Sequence, residues 1–159
     1  FHDSEGYILS PFMEGPMDLL TDRIPLSNKL ASMNTGKLIG VMAKTKDESN
    51  GTVQPDGTII KPVPPVDTEK VEKGYQRSRV LLEAAGVDPK TIFRTHIRAA
   101  HPGGTAGIGR VIDKEQETEV SGLFVSDCSA FPESPGKPPV LTIVALSKHL
   151  AGRLAEEHL

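Results

Sequence analysis

The stretch from His101 to Leu154 constrains the fold most tightly, because a glycine-rich loop, an apolar run and a proline-entered helix follow one another with little spacer. Leu123-Phe124-Val125 is β-prone, follows Gly122 and stops at Ser126-Asp127. Asp127 is therefore expected at the carboxyl end of a strand, where sheets flanked by helices tend to hold ligands. Phe131 to Pro139 carries too much Pro, Ser and Gly for a regular element and reads as a loop. Pro138-Pro139 suits the first positions of a helix, where a missing N–H costs nothing. Beyond it, Val140, Ile143, Val144, Ala151, Leu154 and Ala155 recur at helical spacing. The start of such a helix presents unpaired N–H groups and a partial positive charge. That is a seat for a phosphate, a carboxylate or an electron-rich ring edge.

His101 stands in the loop H-P-G-G-T-A-G-I-G. Read alone, a histidine before a proline is more often a structural loop residue than a catalyst. The glycines beside it let backbone approach a ligand closely. Cys128 lacks the strand, elbow and helix of a nucleophile site and reads as a small buried thiol. His96, His101 and Cys128 match no standard zinc spacing.

These residues carry a resemblance. H-P-G-G-T, L-F-V-S-D-C-S-A-F-P and P-P-V-L-T-I-V-A-L together resemble the C-terminal signature of the glucose-methanol-choline (GMC) flavoprotein oxidoreductases. The resemblance covers roughly His96 to Leu154, about a third of the chain. It implies FAD as cofactor and hydride removal from a CH–OH group of a small alcohol. His101 then matches the histidine that meets the substrate hydroxyl and acts as general base. Asp127, Cys128, Pro138, Pro139 and Val140 match flavin-facing positions. The family usually pairs its first histidine with a second His or Asn just before the final helix. Here that place falls on Pro138 or Pro139, which has no side-chain donor or acceptor. Lys137 is adjacent. A rival reading follows: a non-catalytic binding or structural module that keeps the fold and has lost the acid–base pair.

The family binds FAD through a strand, a G-x-G-x-x-G turn and a helix. Gly103, Gly104, Gly107 and Gly109 are dense but wrongly spaced for that turn. The expectation is one domain, residues 1–159, forming the C-terminal part of a longer flavoprotein whose N-terminal FAD-binding half lies outside it. Residues 1–95 would form a substrate-side sheet and helix, and residues 96–159 the flavin-facing motif. The chain also begins Phe1-His2-Asp3 without methionine, as a piece of a longer protein would.

The rest carries no motif, and its apolar residues read as ordinary core more readily than as the lining of an apolar substrate pocket. Tyr7-Ile8-Leu9 reads as a strand ended by Pro11, and Phe12, Met13, Met17, Leu19 and Leu20 as an apolar cluster. Residues 37–61 read as a three-stranded meander with a hairpin turn at Pro55-Asp56-Gly57. Asp67 is the expected N-cap of a helix whose inner face is Val71, Tyr75, Ser78, Leu82 and Ala85, with Gly86 just past its end. Lys70, Lys73, Arg77 and Arg79 read as a solvated face. Ile92 to Ile97 alternates as a strand does, and Asp113 to Glu119 reads as an acidic, solvated turn. The architecture expected is α+β: an antiparallel sheet covered by helices on one face.

Composition bounds the partners. Net charge is −3 with 25% charged residues, and no basic stripe suggests nucleic acid. No apolar run approaches the length of a membrane span, and no signal peptide is visible. A single cysteine excludes an internal disulfide and fits a reducing compartment such as the cytoplasm.

Overall fold

A computed structural model describes residues 5–13, 24–32 and 38–158. The chain forms two compact units: Phe1–Thr45 with Pro65–Arg98, and Lys46–Pro64 with Ala99–Leu159. Segment 46–64 thus groups with the C-terminal motif rather than with the other early residues.

In the first unit, β1 (Tyr7–Phe12) pairs antiparallel with β2 (Gly40–Thr45), in register from Tyr7 opposite Thr45 to Phe12 opposite Gly40. Pro11 lies inside β1 rather than ending it, because both strands of a two-stranded ribbon are edges and one missing donor is tolerated there. The short helix α1 spans Leu26–Ser32 and the long helix α2 spans Pro65–Ala84. Tyr7, Ile8 and Ile24 are buried. Phe12 and Met13 are exposed, so the expected apolar cluster does not form there, and Met17, Leu19 and Leu20 lie outside the described residues.

α2 crosses the β1–β2 ribbon on a face of small residues. A β-carbon added at Gly74 would lie 2.8 Å from Ala43 Cβ and 3.6 Å from the Tyr7 ring, so only glycine admits this approach. Ser78 Oγ is buried and donates to Gly74 O at 2.8 Å. Asp67 is not the N-cap. Pro65 begins the helix, which places Asp67 in its first turn, buried and paired with Lys70 at 3.0 Å. At the other end, Val87 N donates to Leu82 O and Gly86 N to Glu83 O, with Gly86 at φ 87°, a Schellman close. Residues 92–97 make no strand. They run as irregular chain, with Arg94 bonded to Glu72 at 3.0 Å and stacked over Tyr75.

In the second unit, β3 (Thr52–Val53) and β4 (Ile59–Ile60) form the expected hairpin around Pro55-Asp56-Gly57. Asp56 accepts from Thr58 N at 2.9 Å and Gly57 supplies φ 82°. The three-stranded meander is replaced by two separate pairings, because β2 takes β1 as its partner. Helix α3 (Val140–His158) packs on the segment 115–126. Leu123–Val125 is not a strand: a single bridge joins Glu117 to Phe124, and Val125 N donates to Gln116 O. Two left-handed residues, Gln116 at φ 67° and Gly122 at φ 81°, turn the chain too often for a ladder to grow.

The inner face of α3 also differs from its apolar periodicity. Leu150 is buried, whereas Val140 and Val144 are 56% and 50% exposed. The helix is held by polar contacts instead. Gln116 Nε2 donates to Leu146 O at 3.1 Å, Ser126 Oγ to Ser147 Oγ at 2.8 Å, and Arg153 to Glu115 O at 2.9 Å. Gln116 is 1% exposed, so the acidic stretch around it is not wholly solvated.

The α+β class holds: the described residues form two small antiparallel sheets and three α-helices. No described helix is long and apolar enough to cross a membrane. Gly74→Val is expected to lower stability by about 1–3 kcal/mol through overpacking against Ala43 and Tyr7. Urea unfolding checks this, and an unchanged midpoint would deny the close approach.

Candidate active site

Two loops far apart in sequence are sewn together by main chain. Gly104 N and Ala106 N both donate to Ser129 O at 3.1 Å, and Ile108 N donates to Ala130 O at 2.9 Å. Cys128 Sγ donates to Pro102 O at 3.1 Å. A β-carbon at Gly103 would lie 3.3 Å from Cys128 O, tighter than most real contacts, so glycine allows the seam to close. Ala130 and Phe131 are buried beneath it.

The seam fixes where His101 stands. Its ring is exposed, and its backbone is left-handed at φ 61°, a conformation that non-glycine residues adopt uncommonly. Such strain persists where the surrounding structure overdetermines it, and here Pro102 and Gly103 are anchored on Cys128 immediately afterwards.

Asp127 opens a single tight turn, Cys128–Ala130, rather than ending a strand. Its carboxylate accepts from Ser129 N at 2.7 Å, and Ala130 N closes back to Asp127 O at 3.2 Å. Bonds from Ser129, side chain and amide, hold the Asp127 carboxyl below its usual value and outweigh the smaller upward push of burial. Asp127 is thus a capping residue with its carboxylate engaged. Cys128 is half-buried and its thiol is spent on the same seam.

Pro138, Pro139 and Val140 sit at the entry to α3. Pro139 is buried and accepts from Ile143 N at 2.9 Å. The N–H groups of Val140, Leu141 and Thr142 precede the first intrahelical bond and have no partner within the helix. Val140 and Leu141 are 56% and 84% exposed. The entry therefore offers donors beside an uncovered apolar surface. The structure unites His101 with Asp127 and Cys128 through the seam. Pro138–Val140 join the unit separately, through the packing of α3.

The sequence did not announce several contributors. Gln116 has no motif, yet its buried amide anchors α3. Lys46 and Asp47 carry no motif, but they reach the loop before α3: Lys46 pairs with Glu133 at 3.0 Å and Asp47 bonds Ser134. Gly136, at φ 63°, was visible only as part of a Pro-Gly loop.

Because the folded Asp127 value is depressed, its contribution is present above the unfolded carboxyl value and lost as pH falls through the folded one. Asp127→Ala is expected to cost about 1 kcal/mol at neutral pH. The gap from the parent protein should narrow below about pH 4. Thermal melts across pH check this, and a gap independent of pH would contradict the engaged carboxylate.

Comparison with known proteins accords with this geometry. The family described as GMC oxidoreductase matches residues 46–147, more than half of the chain. An uncharacterized protein of Methanocaldococcus jannaschii is 38% identical over 111 residues, covering 70% of this chain. The matched part is 28% of that relative's length. No solved structure matches. The family match begins at Lys46, so it takes in the β3–β4 hairpin and α2 as well as the three C-terminal blocks. The match spans more than half of the chain, and the chain belongs to the GMC oxidoreductase family as its C-terminal domain.

Proposed function

We propose that this chain is the substrate-side and flavin-facing part of an FAD-dependent oxidoreductase acting on CH–OH groups, with His101 as general base. One observation carries the reading: an exposed histidine is held in an uncommon backbone conformation by a loop sewn onto the Asp127–Ala130 turn. Strain concentrated at one exposed titratable side chain is characteristic of functional positions. Histidine changes charge near neutral pH and suits transfer of a hydroxyl proton.

The residues present fit the ring end of a flavin. The α3 entry offers unpaired N–H donors beside exposed Val140 and Leu141, which suits an aromatic edge bearing carbonyl acceptors. FAD, when bound, would supply the hydride-accepting ring. In this reading Val140 and Leu141 hold the ring edge, the Asp127 turn backs the seam, and His101 accepts the substrate proton at its imidazole. A pyrophosphate-binding turn would come from an N-terminal FAD-binding half of the same protein.

Proline in place of the second His or Asn favours one rival, a non-catalytic module that retains the fold. His101→Asn separates the two. Asparagine tolerates a left-handed backbone and removes the base. In the FAD-loaded full-length protein, reduction of the flavin by a reactive alcohol is expected to slow by about 10²–10⁴-fold. A variant as fast as the parent would overturn His101 as base, and a parent inert to every alcohol screened would favour the module.

A further inference from the structure

The family resemblance gives the β3–β4 hairpin no task, and its strands are two residues long with exposed faces. The start of the hairpin segment, however, reaches the loop that leads into α3. Lys46 Nζ meets Glu133 Oε1 at 3.0 Å. Asp47 bonds the Ser134 side chain and meets Lys61 Nζ at 2.9 Å. Lys61 Nζ also donates to Glu48 O and to Asn50 Oδ1, each at 2.6 Å, which ties both ends of the hairpin segment together. Gly136 is left-handed, and a β-carbon there would lie 2.8 Å from Lys46 Cβ and 3.5 Å from Lys46 Cα. Burial alone would raise the Asp47 carboxyl, but the bonds from Lys61 and Ser134 outweigh it and leave the value lowered.

Glu133 and Ser134 are thus bonded by two adjacent residues, and Gly136 lies against one of them with no room for a side chain. The chain then runs Lys137-Pro138-Pro139 into Val140. Prolines fix φ, so this short segment is stiff and passes displacement of Gly136 on to the helix entry. Exposed ion pairs contribute little to stability, which leaves geometry as the consequence of this contact set.

We propose that Lys46 and Asp47 are positioning residues for the cofactor-facing entry of α3: by gripping Glu133, Ser134 and Gly136 they set where the Pro138–Val140 turn meets the flavin. This rests on the reading of that turn as the flavin seat. Neither residue touches the reacting atoms. The effect runs through the loop backbone, and at Gly136 the approach to Lys46 leaves no room for a β-carbon.

The test uses the FAD-loaded full-length protein with Asp47→Asn, which keeps shape and removes charge, and Gly136→Ala, which fills the contact. The first readout is amide hydrogen exchange at Glu133, Ser134, Gly136 and Lys137. The second is the absorption spectrum of the bound flavin. The third is the split between kcat and KM. Faster exchange at those amides, a shifted flavin spectrum and a kcat lowered by up to about 10²-fold with little change in KM are expected, Gly136→Ala exceeding Asp47→Asn. Lys46→Ala should behave like Asp47→Asn, and it provides a second variant if either other one fails to fold. Exchange unchanged in the folded variants overturns the grip. Faster exchange with an unchanged spectrum and kcat makes it merely structural and also overturns the proposal. A parent protein that binds no flavin removes the underlying reading, which the parent control shows before any variant is examined.

Discussion

Three main-chain hydrogen bonds hold the loop after His101 onto the Asp127–Ala130 turn: Gly104 and Ala106 to Ser129 O, and Ile108 to Ala130 O. Each contributes about 1 kcal/mol net, so together they decide a local geometry more than a global stability. Apart from the single 3-10 turn at Cys128–Ala130, neither loop has regular structure of its own. Without the seam, Pro102 to Ile108 would be a free glycine-rich loop and His101 would have no fixed position. The glycines are needed twice over: Gly103 admits Cys128 O, and Gly104, at φ 88°, turns the chain to present its amide.

Sequence motif and local structure agree here for a physical reason. H-P-G-G-T and S-D-C-S-A-F are recognisable because each is a backbone shape rather than a surface. Glycine where a carbonyl must approach, and aspartate where a turn must be capped, leave a pattern in residue types. The hairpin at Pro55-Asp56-Gly57 and the Gly86 helix end were legible on the same grounds. Contacts that depend on tertiary partners were not. Nothing in Leu123-Phe124-Val125 says that no strand lies beside it, so a β-prone run became one bridge. Nothing in the meander pattern says that β2 would take β1 as neighbour. Gln116 and Gly74 carry large structural roles through burial and close approach, and neither belongs to a local pattern.

The helix α3 shows the same limit from the other side. Its apolar spacing pointed to Val140, Val144 and Ala151 as inner residues, yet the held face runs through Leu146, Ser147, Leu150 and Arg153. Periodicity reports apolar residues, while this interface is made largely of serines, an amide and a guanidinium. Val140 and Leu141 are left uncovered beside the proline entry, where the cofactor-facing reading needs apolar surface. Proline at the second acid–base place leaves the His101 ring as the titratable group on which the proposed chemistry turns.

A preformed seam presents His101, and hydrogen exchange at Gly104, Ala106 and Ile108 reads its closure amide by amide. Closure by shared carbonyls predicts that the three amides are protected together and lose protection together as denaturant rises. Exchange at the rates of an open loop, or three unrelated protections, would contradict it and leave His101 without a defined place.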